Sequence, residues 1–475
     1  MRVPFDVEKL IELLPHRKRI EKCGEVYLVG GTVRDFLLGK DPRDFDLVVK
    51  GRASDFLKKL NLHRGKLVEL SKEEDEYRLV LSKDLWLDIA GMKGETLKDD
   101  LKNRDFTVNS LAVPLGNGSY VIDYTGGLRD IEEKKIRAIR KRNLREDPLR
   151  LLRAFRFMSE LAFEIDEKTL KWISSLKKEI SRPKAERIRY ELLLLFSGKR
   201  LSESLWKMDE VSLLTELIPE LLPLRNTCQK YYEEQNLLYH TLKCVENLDH
   251  LVRGEMENPL REFEKYYGDF IADDKKRALF LLGALFHDIG KPDTLTRDAD
   301  GRTHFHGHDR RGEVITRNIL ERLRFSKAER TLVGQVVRLH MYPHLLAREG
   351  EKVTDRALFR YLRKTGELAF PLILFAYADA LASPSDGRGV LGHVVFARRL
   401  AQFIEKKKER AAKKRLVTGD DLIALGLKPG PVFRVILEEM EELQAIGRVT
   451  DRQEALQVLR EVVKKHLSSR APSGS

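Results

Sequence analysis

The hydrophobic pattern changes its period near residue 140, and this change constrains the fold more than any other feature of the chain. Before it, short apolar and β-branched runs are separated by Gly, Lys and Asp breaks, a pattern that predicts strands. These runs lie at 25–29, 45–49, 77–81, 85–89, 111–115 and 120–124. From about Glu146 onwards, apolar residues recur at helical spacing. We therefore expect an α+β chain, with a small mixed sheet and its helices first and an all-helical remainder.

The composition excludes several classes of protein. Hydrophobic residues make up 42% of the 475 residues, which excludes a disordered chain. Three scattered cysteines are too few for a disulfide framework or a zinc knuckle. The most apolar window, 369–382, carries Asp379 and is shorter than the ~20 residues of a membrane helix. Because the first ten residues lack the apolar centre of a signal peptide, we expect a cytoplasmic protein with no membrane partner.

The charge balance indicates a polyanion as partner. Lys and Arg number 88 against 75 Asp and Glu, a formal net charge of +13. A basic surface binds phosphates with release of counterions. Lys- and Glu-rich surfaces also occur in proteins from hot environments, with no nucleic acid involved. Charge alone leaves both interpretations open.

A Gly pair after the first apolar run predicts an anion-binding turn. Gly30 and Gly31 lie between the run 26–29 and a helix start, where backbone N–H groups can approach an anion. Arg34 lies about one turn into that helix and can donate to the same anion. Glycine is also the usual residue of an ordinary tight turn. The Gly pair alone therefore does not distinguish an anion-binding turn from an ordinary one, and the motifs that follow it decide.

Two carboxylates follow at the start of the next strand. Asp44 and Asp46 are two residues apart and therefore point to the same face of a strand. Crowded carboxylates repel unless a cation such as Mg²⁺ lies between them. Asp88, in the apolar run 85–89, is a candidate third ligand, since an Asp among apolar residues requires a metal or an arginine. A lone Asp-x-Asp pair also fits a solvated strand end, and the preceding Gly turn favours the metal site.

Two later polar groups extend this candidate site. Arg104, Asp105 and Asn109 precede another apolar run, where such residues also cap loops. A row of charged residues then lies near one helix face, and its members are Asp147, Arg150, Arg153 and Arg156. A surface ion-pair ladder would have the same spacing, but the opposite helix face is apolar, and a row of arginines suits a triphosphate.

These motifs, in this order over residues 26–157, resemble the class II tRNA nucleotidyltransferases, the bacterial CCA-adding enzyme and poly(A) polymerase family of the polymerase-β-like superfamily. The resemblance implies a head domain that binds NTP and Mg²⁺, followed by a helical neck, body and tail that hold RNA. The implied partners are tRNA, bound at its 3′ end and acceptor arm, and CTP and ATP as substrates. The number of chains in the assembly stays open.

The resemblance also assigns roles to the residues of the motifs. Asp44 and Asp46 would bind two Mg²⁺ ions, and Asp88 stays the candidate third catalytic carboxylate. The nucleotide would be bound by Gly30, Gly31, Arg34, Arg104, Asp105, Asn109, Asp147, Arg150, Arg153 and Arg156. Within this set, Asp147 and Arg150 would read the Watson–Crick edge of C or A, because an acceptor beside a donor discriminates these bases from G and U.

The sequence departs from the family pattern at two places. The family has paired arginines before the Asp of its second motif, and here the first of the pair is Asn103. Only 16 positions separate Asp88 from Arg104, fewer than in members that add all three nucleotides. A shortened segment resembles the CC-adding branch, which argues against full CCA synthesis.

Histidine is concentrated in the second half of the chain, which predicts a second site. Six of 12 histidines lie within 58 residues, namely His287, His304, His306, His308, His340 and His344. His287-Asp288 ends an apolar helix, and with His240 and Asp379 it forms an N/O ligand set. The pattern resembles the HD metal-dependent phosphohydrolase superfamily over about 235–385, in which His308 and His340 match positions of a second metal. We expect His304, His306 and His344 to be loop residues.

The last motifs complete the domain organisation. A basic helical stretch at 405–415 precedes a Gly-Asp-Asp turn at 419–421, which resembles the tRNA-gripping tail of HD-containing family members. Such a tail would contact the RNA backbone without reading sequence, although a bare charge run is more often a solvated face. The expected domains are the head (1–139), the RNA-binding neck (140–225), the HD domain (226–395) and the basic tail (396–470).

The sequence therefore predicts a template-independent tRNA nucleotidyltransferase that adds C and/or A to the tRNA 3′ end, fused to an HD domain that holds a divalent metal of unknown identity. A poly(A) polymerase of the same fold, which would use ATP alone, is one alternative. Another alternative is an HD phosphohydrolase whose head has become a passive RNA-binding module. The intact pair of Asp44 and Asp46 argues against this alternative.

Overall fold

The computed structural model describes residues 2–4, 7–42, 44–61, 65–116, 120–227, 236–383, 388–411 and 415–468. The chain divides into two compact units, Met1–Pro219 and Glu220–Ser475. Part of the predicted basic stretch, 412–414, lies outside the described residues.

The first unit contains a mixed sheet. Its strands within the described residues are β1 (Arg2–Pro4), β2 (Val26–Val29), β3 (Asp44–Val49), β4 (Lys66–Ser71), β5 (Glu76–Ser82), β6 (Leu85–Gly91), β7 (Leu111–Pro114), β8 (Tyr120–Asp123), β9 (Lys135–Ile136) and β10 (Glu164–Ile165). Eight of them form one sheet in the order β1-β8-β7-β2-β3-β6-β5-β4. Neighbours in this sheet are antiparallel except β3 and β6, which are parallel.

Helices flank this sheet and then replace it. They are α1 (Glu8–Leu13), α2 (Arg17–Cys23), α3 (Gly30–Leu37), α4 (Ala53–Leu60), α5 (Leu97–Asn103), α6 (Gly127–Glu132), α7 (Lys141–Glu146), α8 (Leu149–Leu161), α9 (Glu167–Leu176), α10 (Ala185–Ser197), α11 (Leu201–Glu210) and α12 (Leu213–Leu217), with 3-10 turns at Thr107–Asn109 and Lys177–Ser181. All six predicted strand runs form strands. The pattern does not predict β4, because this edge strand has no buried residue and so lacks apolar alternation.

The alternation of β3 decides where the acidic side chains lie. Leu47 packs into the larger core cluster of the unit, whereas Val48 packs into a second cluster on the opposite face of the sheet. Asp44 and Asp46 lie four and two residues before Val48 in the same strand, so their side chains point to that second face as well. Asp88 is the direct partner of Asp46 in the parallel pairing of β3 with β6, so the three carboxylates share one face.

The second unit is helical apart from one short hairpin of β11 (Thr296–Arg297) and β12 (Thr303–His304), as far as its residues are described. Its helices are α13 (Leu222–Arg225), α14 (Leu237–Arg253), α15 (Gly268–Ala272), α16 (Asp274–Phe286), α17 (Lys291–Thr294), α18 (His308–Arg322), α19 (Lys327–Leu339), α20 (Met341–Glu349), α21 (Asp355–Thr365), α22 (Ala369–Ala382), α23 (Arg388–Ala411), α24 (Gly419–Ala424), α25 (Pro431–Ala445) and α26 (Arg452–Ser468), with 3-10 turns at Arg261–Tyr266, Gly350–Lys352 and Gly366–Leu368. A further 3-10 turn, Pro219–Leu221, spans the boundary of the units. The segment 415–468 has a small apolar core of its own, centred on Leu422, Ile436 and Leu459.

One helical stretch, Asp355–Ala382, passes a test of length and hydropathy for a membrane span. It includes α22, the most apolar window of the sequence. Within the unit, 67% of its most apolar window is buried. A core helix that is covered on all sides has the same composition, so the stretch is weak evidence for a membrane span.

Candidate functional site

The Gly pair forms the turn between β2 and α3. Gly30 has a φ of +65°, a conformation that favours glycine. A Cβ at Gly30 would lie 3.0 Å from Oδ2 of Asp46 and 3.1 Å from Nη1 of Arg104. The N–H of Gly31 donates to Oδ2 of Asp46 at 3.0 Å, and the N–H of Asp46 donates to Oγ1 of Thr32 at 2.7 Å. The turn therefore contacts a carboxylate of the chain itself.

The carboxylates of β3 are crowded and partly removed from water. Desolvation, and after it the charges of Asp88 and Asp44, raises the pKa of Asp46 to about 6. Desolvation also raises the pKa of Asp44. A hard divalent cation between these carboxylates would offset their repulsion, so the residues present fit such an ion.

Asp88 has an arginine as its counter-ion. Nε and Nη2 of Arg78, on the neighbouring strand β5, each donate to one oxygen of Asp88 at 2.7 Å. The guanidinium of Arg78 also lies 5.1 Å from the ring of Trp86. Any metal that used Asp88 as a ligand would compete with this bidentate ion pair.

Arg34 is buried at the side of the cleft. Its Nη1 donates to Oδ1 of Asn109 at 2.6 Å, and its Nε donates to Asp35 at 2.9 Å. The guanidinium lies 5.1 Å from the ring of Phe157. These contacts hold Arg34 in place at the edge of the carboxylate group.

A buried ion-pair network joins the second motif to the arginine row. Nη2 of Arg153 donates to Oδ2 of Asp105 at 2.7 Å, and its Nη1 donates to Glu191 at 3.0 Å. Nε of Arg156 donates to the other oxygen of Glu191 at 3.0 Å. Although burial opposes ionisation, Arg153 and Arg150 hold the pKa of Asp105 well below its ordinary value. The row of arginines is therefore fixed by acids on its inner side.

The two predicted base-reading residues are both engaged. Nη2 of Arg187 donates to Oδ2 of Asp147 at 2.9 Å. Nη1 of Arg150 donates to the backbone carbonyls of Asn103 at 3.1 Å and Asn143 at 3.2 Å. Nε of Arg150 lies 3.9 Å from Oδ2 of Asp147. The pair is thus held at the start of α8 beside the second motif.

Two adjoining cavities in the first unit collect the predicted residues. One of about 540 Å³ is lined by Gly30, Gly31, Arg34, Asp44, Asp46, Asp88, Arg104, Asp105, Asn109, Arg153 and Arg156. The other, of about 1080 Å³, contains Asp147 and Arg150 and shares Arg104, Asp105 and Arg153 with the first. Four motifs that are separated in sequence therefore meet in one continuous cleft.

Sequence reasoning missed Arg187 and Arg78, which line this cleft, and Glu191, which binds two of its arginines but lines neither cavity. Glu191 precedes an apolar run on α10 and is buried. A charged residue beside an apolar run requires a partner, and this signal was available in the sequence. Arg78 and Arg187 lie among many surface arginines, and no local pattern distinguishes them.

In the second unit, the six predicted metal ligands converge from five helices or helix ends. They form two groups, His240, His287 and Asp379 in one and Asp288, His308 and His340 in the other. In the first group, Nε2 of His240 lies 2.8 Å and Nε2 of His287 lies 3.6 Å from Oδ1 of Asp379. In the second, Nε2 of His308 and Nε2 of His340 are 3.2 Å apart.

Backbone carbonyls orient the imidazoles of these groups. Nδ1 of His287, His308 and His340 lies 2.7–2.8 Å from the carbonyl oxygen three residues earlier. Nδ1 must then carry the proton, which leaves Nε2, the ring nitrogen that faces the cluster, as the ligand atom. Burial and the neighbouring imidazoles lower the pKa of His340 well below its ordinary value, so this ring is neutral, as metal binding requires.

Asp288 lies between the two groups. Its Oδ2 is 3.2 Å from Nε2 of His287, and its Oδ1 is 3.7 Å from Nε2 of His308. Although burial opposes ionisation, His287 and Lys291 hold the pKa of Asp288 well below its ordinary value. Nε2 of His287 and Oδ2 of Asp288 are buried and lack hydrogen-bond geometry, an exception among buried polar atoms. The donor set fits two divalent cations that share Asp288.

Three further residues belong to this site and were not predicted. Nζ of Lys291 forms an ion pair with Oδ2 of Asp288, at a distance of 2.7 Å. His344 lies on α20, not in a loop, with Nε2 3.0 Å from Oδ2 of Asp379. Nδ1 of His344 is 3.1 Å from Nε2 of His393 on α23. The expectation for His344 is wrong because its helix begins directly after His340, which places it one turn from the ligand set.

His304 and His306 lie outside the two ligand groups. Their rings stack with centroids 5.4 Å apart, and Nε2 of His304 lies 3.1 Å from Asp298. They belong to the β11–β12 hairpin and the segment after it.

Three family descriptions match successive parts of the chain. The poly A polymerase head domain matches residues 26–96 and 92–137. The probable RNA- and SrmB-binding site of polymerase A matches residues 162–224, and the HD domain matches residues 238–383. These matches and the cleft define an enzyme of the nucleotidyltransferase class with an HD domain.

Curated relatives resemble the chain over nearly its whole length. The A-adding tRNA nucleotidyltransferase of Deinococcus radiodurans is 30% identical over 436 residues, which cover 90% of this chain and 93% of the relative. The CC-adding tRNA nucleotidyltransferase of Thermus thermophilus is 31% identical and covers 91% of this chain and 92% of the relative. The chain belongs to the tRNA nucleotidyltransferase family.

Solved structures have the same fold. A CCA-adding enzyme with ATP has a TM-score of 0.67 and 24% identity, covering 98% of each chain. The Thermotoga maritima CCA-adding enzyme in complex with tRNA has a TM-score of 0.64 and 23% identity, covering 98% of this chain and 100% of that chain. The predicted α+β fold class and the family resemblance are thereby confirmed, and the roles assigned to single residues stay predictions.

Proposed function

We propose that this protein adds C and/or A to the 3′ end of tRNA from CTP or ATP, without a nucleic-acid template. One observation carries the proposal. The Gly turn, the carboxylates of β3 and the arginines of α8 line a single cavity, although they are separated by up to 126 positions of sequence (Gly30 to Arg156).

In the proposed reaction the tRNA 3′-OH attacks the α-phosphate of the nucleotide, a new O–P bond forms, and the bond to pyrophosphate breaks. Asp44 and Asp46 would hold divalent cations, which we propose to be Mg²⁺ and which, when bound, favour the 3′-alkoxide and neutralise charge on the pyrophosphate. The buried guanidinium of Arg34 lies beside these carboxylates and would position the triphosphate. The Gly31 N–H donates to Asp46 and would reach the triphosphate only by exchanging that partner.

Asp147 and Arg150 would select the base. The amino group of C or A donates a hydrogen bond, and the adjacent ring nitrogen accepts one. A carboxylate beside a guanidinium offers the complementary acceptor and donor. U and G present the opposite pattern. Their carbonyl oxygen would face the carboxylate of Asp147, and their ring N–H would face the guanidinium of Arg150.

The short connection after β6 supports the CC-adding branch. Only residues 92–96 join β6 to α5, and this leaves little chain to rearrange when the required base changes from C to A. Relatives of similar identity are named A-adding and CC-adding, so specificity requires a direct test.

A primer-extension assay makes that test. A tRNA transcript without its CCA end is incubated with Mg²⁺ and CTP, ATP or both. Two residues from CTP and none after ATP support the CC-adding branch, and three residues show a CCA enzyme. A single A on a transcript that already ends in CC shows an A-adding enzyme. An ATP ladder on either transcript supports a poly(A) polymerase instead.

We further propose that the second unit hydrolyses phosphate esters with divalent metals. The two ligand groups that meet at Asp288 would hold divalent cations, which when bound activate water for hydrolysis. Lys291, which pairs with Asp288, would neutralise phosphate charge. A metal held only for structure is the alternative.

Metal content and hydrolysis of bis-p-nitrophenyl phosphate together decide between these roles. Asp288→Asn should lose both metal and hydrolysis and keep nucleotide addition. Metal that binds without hydrolysis of this diester, or of p-nitrophenyl phosphate as a monoester, would indicate the structural role.

The tail is proposed to contact the tRNA backbone in the cytoplasm. Asp421 is not available for that purpose, because it caps α24 through Thr418 and pairs with Arg452. A cavity of about 550 Å³ lined by Arg415, Thr418, Gly430 and Arg434 is the proposed contact. Arg434→Ala should weaken tRNA binding in a filter-retention assay and leave the KM for nucleotide unchanged.

A further inference from the structure

Tyr190 is an exposed aromatic residue in a cavity that many charged residues line. It lies on α10, its exposed fraction is 62%, and it lines the cavity of Asp44, Asp46 and Asp88. The adjacent residue Glu191 is buried and holds two arginines of α8. Because Glu191 fixes the rotation of α10, Tyr190 is held on the cleft side of the helix.

Leu194 extends the same surface. It lies one helical turn after Tyr190 and lines the same cavity, so the two side chains form an apolar ridge on α10. The carboxylates of β3 and β6 line the same cavity. A flat apolar surface in the cavity of these carboxylates suits the face of a base and offers little to a phosphate.

The position of Asp147 and Arg150 indicates whether the ridge on α10 meets the base of the incoming nucleotide or the terminal base of the RNA. Asp147 and Arg150 lie in the adjoining cavity, which Tyr190 does not line. The base of the incoming nucleotide would therefore be bound there. The reacting 3′-OH must reach Asp44 and Asp46, which brings the last nucleoside of the RNA into the cavity that contains Tyr190.

We infer that Tyr190 stacks on the terminal base of the RNA that is being extended. This inference rests on the proposed function and adds the residue that holds the primer end. The terminal base changes after each addition, and stacking tolerates such changes because every base has a π-face. Hydrogen bonds to the edge of one particular base would not tolerate a change of base.

Steady-state kinetics with a tRNA that lacks its CCA end test the assignment. Stacking contributes about 1–3 kcal/mol per base, so Tyr190→Ala should raise the KM for tRNA roughly 5- to 150-fold, at 1.36 kcal/mol per tenfold. The KM for CTP and the unfolding temperature should be unchanged. Tyr190→Phe keeps the ring and should stay within about twofold of the wild type. Tyr124→Ala removes an aromatic residue of 42% exposure outside both cavities and should have no effect.

Other results would overturn the inference. A rise in the KM for CTP alone would assign Tyr190 to the incoming base, and unchanged constants would make it a passive surface residue. A binding measurement separates this outcome from failure of the proposed function. If the wild type adds no nucleotide, an RNA minihelix ending in 2-aminopurine is titrated with the protein. Quenching that is lost in Tyr190→Ala, and is absent when 2-aminopurine lies inside the stem, supports stacking; equal quenching by both proteins refutes it.

Discussion

Arg187 holds Asp147 through both of its terminal nitrogens, with Nη2 2.9 Å from Oδ2 and Nη1 3.3 Å from Oδ1. A bidentate pair fixes the plane of a carboxylate as well as its position. Asp147 is the proposed acceptor for the amino group of C or A, so Arg187 sets the direction from which that group can approach.

Arg187→Ala should therefore impair base selection. We expect kcat/KM for the preferred nucleotide to fall about 10- to 100-fold, since a misplacement of about 1 Å can cost about 100-fold, and the ratio to kcat/KM for UTP to fall as well. Arg187→Lys keeps the charge without the fork geometry and should be intermediate. Arg182→Ala is the matched control, since Arg182 lines the same cavity but pairs with Glu179. Equal selectivity in Arg187→Ala and Arg182→Ala would contradict the prediction.

Glu191→Ala should destabilise the first unit. It leaves Arg153 and Arg156 without their shared buried partner, and loss of one member of a buried ion-pair network costs about 3 kcal/mol. Urea denaturation measures the change. Glu160→Ala removes a more exposed partner of Arg156 and should cost under about 1 kcal/mol. Similar losses for the two variants would show that burial of Glu191 does not decide its contribution.

The raised pKa of Asp46 predicts a pH-dependent stability in EDTA. Its folded pKa of about 6 exceeds the value near 3.9 of an unfolded Asp. The native state therefore binds more protons between about pH 4 and 6, and stability falls as the pH rises through this window. Asp46→Asn should remove this loss of stability and be more stable than the wild type at pH 8, by about 3 kcal/mol, with no difference at pH 4.

Mg²⁺ provides the control for that prediction. The ion should raise the unfolding temperature of the wild type at pH 8 and not that of Asp46→Asn, because binding to the native state stabilises it. A gain of equal size in both proteins would place the responsible site away from β3.

His344→Ala should weaken metal binding in the second unit. His344 contacts the oxygen of Asp379 that faces away from His240, and loss of an outer-shell partner lowers metal affinity about 10- to 100-fold. Isothermal titration with Mn²⁺ measures this. His393→Ala, one contact further from Asp379, should have a smaller effect, and His304→Ala should have none. Unchanged affinity in His344→Ala would reduce this histidine to a packing role.

The sequence determined those parts of the site that depend on local periodicity. Strand alternation places Asp44 and Asp46 on one face, and the apolar context of Asp88 and Asp379 shows that each needs a partner. The pattern of His and Asp residues identified His240, His287, Asp288 and Asp379, and the family resemblance added His308 and His340. The structure brings these six residues together. Such inferences succeed because the faces of a strand or helix follow from its repeat alone.

Only the tertiary structure decided which partners these residues have. The choice of an arginine as the counter-ion of Asp88 depends on the register that places Arg78 opposite it on β5. Arg187 and Tyr190 line the cleft, and Glu191 meets Arg153 and Arg156, because α10 packs on α8 with one particular rotation. His344 and His393 meet only because α20 lies against α23. Packing angles and registers arise from many contacts distant in sequence, and no local pattern encodes them.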